Sequence, residues 1–173
     1  MKFSRSIVYV LPAVMWVMLI FHFSSEPYQK QTIIPFLHQH FNEDTVRRLL
    51  PDVTVHYLHS AISAKSDPFG FIEFVFRKSA HMFVYGVFAI VVYIALYPLR
   101  LKLPYSMLAS LIIVAGIASL DEWNQLFTGG RTSTIRDVGV DVSGGMLFLL
   151  IFILLSKWAR YIKSKNVKKS ALL

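Results

Sequence analysis

Read by the spacing of its charges, the chain falls into four long apolar stretches separated by polar ones. No formal charge interrupts Ser6–Ser25, Ser79–Leu99 or Leu103–Leu120, runs of 20, 21 and 18 residues. A helix needs ~20 predominantly apolar residues to cross a bilayer, so each predicts a membrane span. The fourth run, Val142–Ser156, has only 15 residues, or ~23 Å at ~1.5 Å per residue. Starting it at Val138 restores the ~30 Å of hydrocarbon thickness, but this places Asp141 about one turn inside the apolar slab. The expectation is an all-α membrane protein of four transmembrane helices, at about 6–25, 79–99, 103–120 and 138–156.

The segment 26–78 is long for a connection in a small bundle, and connections of that length usually carry structure of their own. Asn42 offers an N-cap and Pro51 a stop, which predicts a short helix between them. A second short helix is predicted from Asp52 towards Ser63. Pro68–Phe76 runs into span two without a strong break, so that helix is expected to begin before the membrane, near Phe69 or Phe71, and to be amphipathic. No repeat of solenoid length is visible, and all 173 residues read as one domain with a basic tail at 157–173.

Composition agrees with the pattern. Hydrophobic residues make up 55% and charged residues 16% of the chain, against ~25% charged in ordinary soluble domains. Cysteine is absent, which excludes disulfides and thiolate metal sites. With the N-terminus inside, segments 1–5, 98–103 and 157–173 carry 10 Lys/Arg in 28 residues, whereas 26–78 and 121–137 carry 8 in 70. That contrast predicts both termini in the cytoplasm and the long connection outside. Lys2 and Arg5 before an apolar run also suit a signal peptide, but Phe21–Ser25 lacks a small-x-small cleavage site, which favours an uncleaved anchor. The net charge of +8 then reports topology. Its basic tail fits an anionic lipid surface, with no nucleic acid implied.

Placed by depth, the ionisable residues converge. Lys78, His81 and Tyr85 fall at i, i+3 and i+7, one face of span two as it enters the membrane. Asp121, Glu122 and Gln125 close span three on that side, and Asp137 and Asp141 open span four. Gly144 and Gly145 would let a neighbouring helix approach those aspartates closely. One reading is charge balance, in which Lys78 and Arg131 neutralise the four carboxylates. Another is a pocket open to the exterior, with His81, Glu122 and Asp137 as candidate catalytic groups. No ionisable residue lies in the inner half of a span, which argues against a proton path.

The remaining chemistry is sparse. No HExxH or comparable metal signature occurs, so neither a metal nor a cofactor is assigned; a metal, if bound, would use His81 with Glu122, Asp137 or Asp141. His38/His40 and His56/His59 read as solvated loop residues, and His22 as an interfacial one. Ser79, Ser110, Ser119 and Ser143 lack a G-x-S-x-G setting, and no phosphate-binding glycine loop is present. Thr128–Thr134, with Arg131, reads as a flexible turn that could also hold an anion.

Several of these residues carry a family resemblance. Arg77-Lys78-Ser79-Ala80-His81 with Tyr85, Asp121-Glu122 with Gln125 and Phe127, Gly130-Arg131, and Asp137 followed by Gly144 resemble the VanZ-like family of small bacterial membrane proteins, as does Ser24-Ser25 after span one. The likeness covers spans two to four well and the first connection poorly. Three positions depart from the pattern: Gly129 replaces a frequent proline, Asp141 a common asparagine, and Phe148 a small residue.

The resemblance implies a cell-envelope protein of the bacterial membrane that contributes to resistance to teicoplanin-type glycopeptides. It marks Lys78, His81, Asp121, Glu122, Gln125, Arg131 and Asp137 as family-matching positions. Together with Tyr85 and Asp141 these form the candidate binding set. The expected partners are membrane lipid and a lipid-linked cell-wall precursor or lipoglycopeptide. The competing expectation is a membrane enzyme acting on a polar head group, with His81 and Glu122 as acid and base.

Overall fold

A computed structural model describes residues 2–57, 60–128 and 134–170. Four long helices dominate it: α1 Lys2–Ser24, α5 Pro68–Ala95, α6 Leu103–Gln125 and α7 Ile135–Ser170. Each is long and apolar enough to cross a membrane, and the chain is an all-α membrane protein in its architecture. Many large apolar side chains on these helices face outward, such as Val8, Met15, Leu108, Ile112, Leu147 and Leu154. Lipid, rather than water, is the solvent that such a surface suits.

The connection between α1 and α5 is only partly helical. It contains α2 Tyr28–Gln31, α3 Ile34–His40 and α4 Glu43–Leu49. Asn42 caps α4 by accepting from the Thr45 backbone N–H at 3.1 Å, as its sequence predicts. The helix predicted from Asp52 towards Ser63 does not form. In its place β1 Thr54–Tyr57 and β2 Ser60–Ser63 make an antiparallel hairpin, with Thr54 opposite Ser63 and Tyr57 opposite Ser60. Burial along β1 has a period of two, with Val55 and Tyr57 half-buried and Thr54 and His56 exposed. Two β-branched residues and a tyrosine in alternation favour a strand.

Helix α5 starts at Pro68, ahead of both residues predicted for its first turn. Asp67 is its N-cap and accepts from the Gly70 N–H at 2.9 Å, and Pro68 occupies the first turn. A side-chain acceptor followed by a proline with a preset φ is a strong start. At the far end, a 3-10 turn at Tyr97–Leu99 leads through Arg100, at φ 52°, to α6. Helix α7 does not stop with its apolar run; it continues through the basic tail to Ser170.

Packing between α5 and α7 sets the frame. The helices lie parallel, since Lys78 meets Asp137, His81 meets Asp141, Met82 meets Gly144 and Gly86 meets Phe148 in one direction. A Cβ built at Gly144 would lie 2.4 Å from the Met82 carbonyl oxygen, so glycine permits a backbone contact that no other residue would. One turn on, a Cβ at Gly86 would lie 2.5 Å from the Phe148 ring. Gly86 thereby makes room for the bulky Phe148 ring. Helices α1 and α6 run the other way, and Trp16 of α1 donates to the Val84 carbonyl of α5 at 3.1 Å. Tyr85, Phe88, Ala89, Val92, Val114, Ala118 and Leu149 form the core where α5, α6 and α7 meet.

Gly144→Ala forces a Cβ onto rigid backbone and should destabilise the bundle by about 1–3 kcal/mol, the usual range for overpacking. Gly116→Ala, where a Cβ meets nothing within 4 Å, should leave the melting temperature of the detergent-solubilised protein unchanged or slightly raised.

Candidate functional site

The residues singled out from the sequence meet at the end of the bundle where the hairpin connection lies. Lys78 ion-pairs with Asp137, and the Tyr57 hydroxyl donates to the same carboxylate oxygen. The second oxygen of Asp137 accepts from Thr134 Oγ1 at 3.2 Å. Asp137 also stands in the first turn of α7, where the helix dipole favours a carboxylate. Both its oxygens are therefore engaged, and this part of the cluster is closed. Thr134 extends it to α6, because its backbone N–H donates to Glu122 Oε2 at 2.9 Å.

A second group lies deeper. Tyr85 donates to Asp121 Oδ2 at 2.9 Å, and Gln125 Nε2 donates to the same oxygen at 3.1 Å. His81 Nδ1 lies 3.3 Å from Asp141 Oδ1. Asp141 has no exposed surface at all, so the carboxylate that the span-length argument pushed into the membrane is turned into the protein. Unlike Asp137, these acids are incompletely matched. Asp121 Oδ1 and Asp141 Oδ2 are buried with no hydrogen-bond partner among the described residues. Buried polar atoms are nearly always paired, so such atoms call for an explanation.

Beside this group a cavity of about 350 Å³ opens between α1, α5 and α6. Leu19, Ile20, Phe23, Phe76 and Val84 give it apolar walls, and Arg77, His81, Tyr85, Asp121 and Gln125 give it a polar side. Ser24 also lines it, and its hydroxyl is buried without a partner among the described residues. The structure thus brings together Lys78, His81, Tyr85, Asp121, Glu122, Gln125, Asp137 and Asp141. Arg131, and with it most of the Thr128–Thr134 loop, lies outside the described residues.

Comparison with known families bears on this arrangement. The VanZ/LLP1 family model matches residues 9–156, which takes in α5 and α6, most of α1, the apolar part of α7 and every cluster residue. The chain belongs to the VanZ/LLP1 family. No curated protein and no solved structure gives a significant match. Within this VanZ/LLP1 protein, Lys78, His81, Tyr85, Asp121, Gln125 and Asp137, which carry much of the resemblance, gather at one end of α5, α6 and α7.

Two contributors escaped the sequence. Tyr57 reaches Asp137 from the hairpin, and its ring also lies 4.5 Å from Lys78 Nζ, a cation–π contact. The period-two pattern of β1 could have indicated it. Glu73 is 4% exposed, accepts from Thr32 Oγ1 at 2.7 Å and lies 3.9 Å from Arg77. One acid on a phenylalanine-rich helix turn was its only signal. Among the other described histidines, His22 is exposed against Phe23, His38 packs edge-on to Phe69, and His40 stacks on Phe36; His59 lies outside the described residues.

Lys78→Met leaves Asp137 buried without its cation and should cost about 3 kcal/mol, the lower end for a broken buried pair because Lys78 keeps some exposure. Adding Asp137→Asn should recover part of that loss in a thermal melt. Burial, followed by the hydrogen bond to Asp137, raises the Tyr57 phenol above its ordinary 10.0. A raised phenol pKa means that the folded state holds its proton longer than the unfolded state. Its stabilisation is thus complete below pH ~10 and is lost as pH rises through the folded value. The stability advantage of the wild type over Tyr57→Phe should accordingly be constant up to pH ~10 and shrink above it.

Proposed function

We propose that this protein is a bacterial cell-envelope protein that binds a lipidated or lipid-linked molecule in the cavity between α1, α5 and α6, and through it contributes to resistance to teicoplanin-type glycopeptides. The observation that carries the reading is the two-sided lining of that cavity. Aliphatic and aromatic walls suit an acyl or prenyl chain, and the polar side offers Arg77 to an anionic group and Gln125, Tyr85 and His81 to hydroxyls or amides. Ser24 Oγ and Asp121 Oδ1 have no partner among the described residues, and a ligand with hydroxyl or amide donors supplies one for each. Ligand sites commonly join apolar walls to a few convergent polar groups. The Lys/Arg distribution supports chain ends in the cytoplasm and a cluster that faces outward, within reach of envelope precursors and lipoglycopeptides.

A second reading is an enzyme acting on the head group of such a lipid, with His81 and Glu122 as acid and base. The close approach of His81 to Glu122 and Asp141 favours it. Turnover separates the two: a binding protein leaves a lipid-linked precursor chemically unchanged after prolonged incubation.

Ala80 lines the cavity but takes no part in the charged pairs. Ala80→Phe should fill the cavity, reduce lipid or lipoglycopeptide binding to the protein in nanodiscs at least tenfold, and restore teicoplanin susceptibility to an expressing host at unchanged membrane abundance. Full binding and full resistance in this variant would reject the cavity as the site.

A further inference from the structure

We propose that His81, Glu122 and Asp141 form a binding site for one divalent first-row cation, of the zinc or manganese class. One ring nitrogen of His81 and one carboxylate oxygen each from Glu122 and Asp141 lie within 4.8 Å of one another. Ligand atoms about 2.1 Å from a shared zinc ion stand up to ~4.2 Å apart, so a small side-chain adjustment brings all three onto one ion. The three residues come from α5, α6 and α7, and the backbone contact of Gly144 with Met82 holds two of those helices together.

Asp141 supplies the independent argument. Its side chain is fully buried, its Oδ1 faces His81 at 3.3 Å, and its Oδ2 has no hydrogen-bond partner among the described residues. Lys78 is committed to Asp137 and Tyr57 and does not serve it. A buried carboxylate half-matched by a single imidazole is costly, and a cation on that carboxylate removes the cost. The donor set, one imidazole nitrogen with two carboxylates, suits zinc or manganese better than calcium or copper(I). Glu122 is already oriented by the Thr134 N–H on Oε2, the kind of supporting hydrogen bond that fixes a metal-ligating carboxylate. His81 also lines the cavity, which provides an entry path. The site rests on this geometry and does not depend on what occupies the cavity.

The test is metal binding by the full-length protein in detergent, with any affinity tag removed and the protein stripped with chelator, then titrated separately with Zn²⁺ and Mn²⁺. One ion per chain is expected, with a melting temperature that rises on binding and falls again with chelator. Asp141→Asn and Glu122→Gln should each weaken binding at least tenfold, and the imidazole-dependent visible bands of the Co²⁺ form should disappear in His81→Ala. His38→Ala/His40→Ala, outside the cluster, should bind as the wild type does. Absence of stoichiometric binding by folded wild type overturns the proposal even if a variant fails to accumulate. So does binding that survives all three site substitutions, or that is lost with His38 and His40.

Discussion

Among the described residues five carboxylates, those of Glu73, Asp121, Glu122, Asp137 and Asp141, lie buried at one end of an apolar bundle, and a charge held away from water is tolerated only where partners replace its hydration. That requirement governs much of the molecule. Asp137 meets it through Lys78, Tyr57 and Thr134, which obliges the hairpin to fold back over the start of α7. Asp121 meets it in part through Tyr85 and Gln125, which ties α5 to α6. Asp141 meets it in part through His81. The helices are thus registered by acids at one end and by apolar packing along the rest of their length.

Gly144 and Gly86 make that registration possible. Parallel packing of α5 on α7 brings Lys78 to Asp137 and His81 to Asp141 only if the backbones approach closely. Gly144 against the Met82 backbone provides the approach, and Gly86 then accommodates Phe148. The charged pairs and the glycine contacts stand on successive turns of one interface.

The cluster is divided in its chemistry. Around Asp137 every oxygen is engaged, as charge balance demands, and that part explains stability. Around Asp121 and Asp141 each carboxylate keeps one oxygen without a partner among the described residues, next to a cavity with a partnerless serine hydroxyl. This part is the one on which the proposed binding reading rests. The sequence presented charge balance and pocket as rival accounts; the hydrogen bonding around Asp137 matches the first, and the half-matched Asp121 and Asp141 leave room for the second.

Much of this was legible in the chain itself. Charge-free runs located four helices because lipid tolerates neither bare charge nor unpaired backbone, and the shortness of the last run forced Asp141 into the apolar region. Helical periodicity placed Lys78, His81 and Tyr85 on one face. Local signals mislead at Asp52–Ser63, where alternation over a few residues gives a hairpin and not the expected helix, and at Asp67-Pro68, where cap and proline start α5 ahead of Phe69 and Phe71. Other facts were out of reach of any local pattern. That Tyr57 would reach Asp137 across 80 residues, that Phe148 would be received by Gly86, and that Asp137 would be satisfied where Asp141 is not depend on contacts between distant segments. Sequence fixes what each segment can bury, through hydropathy and period; which buried groups find partners is decided only when the helices pack.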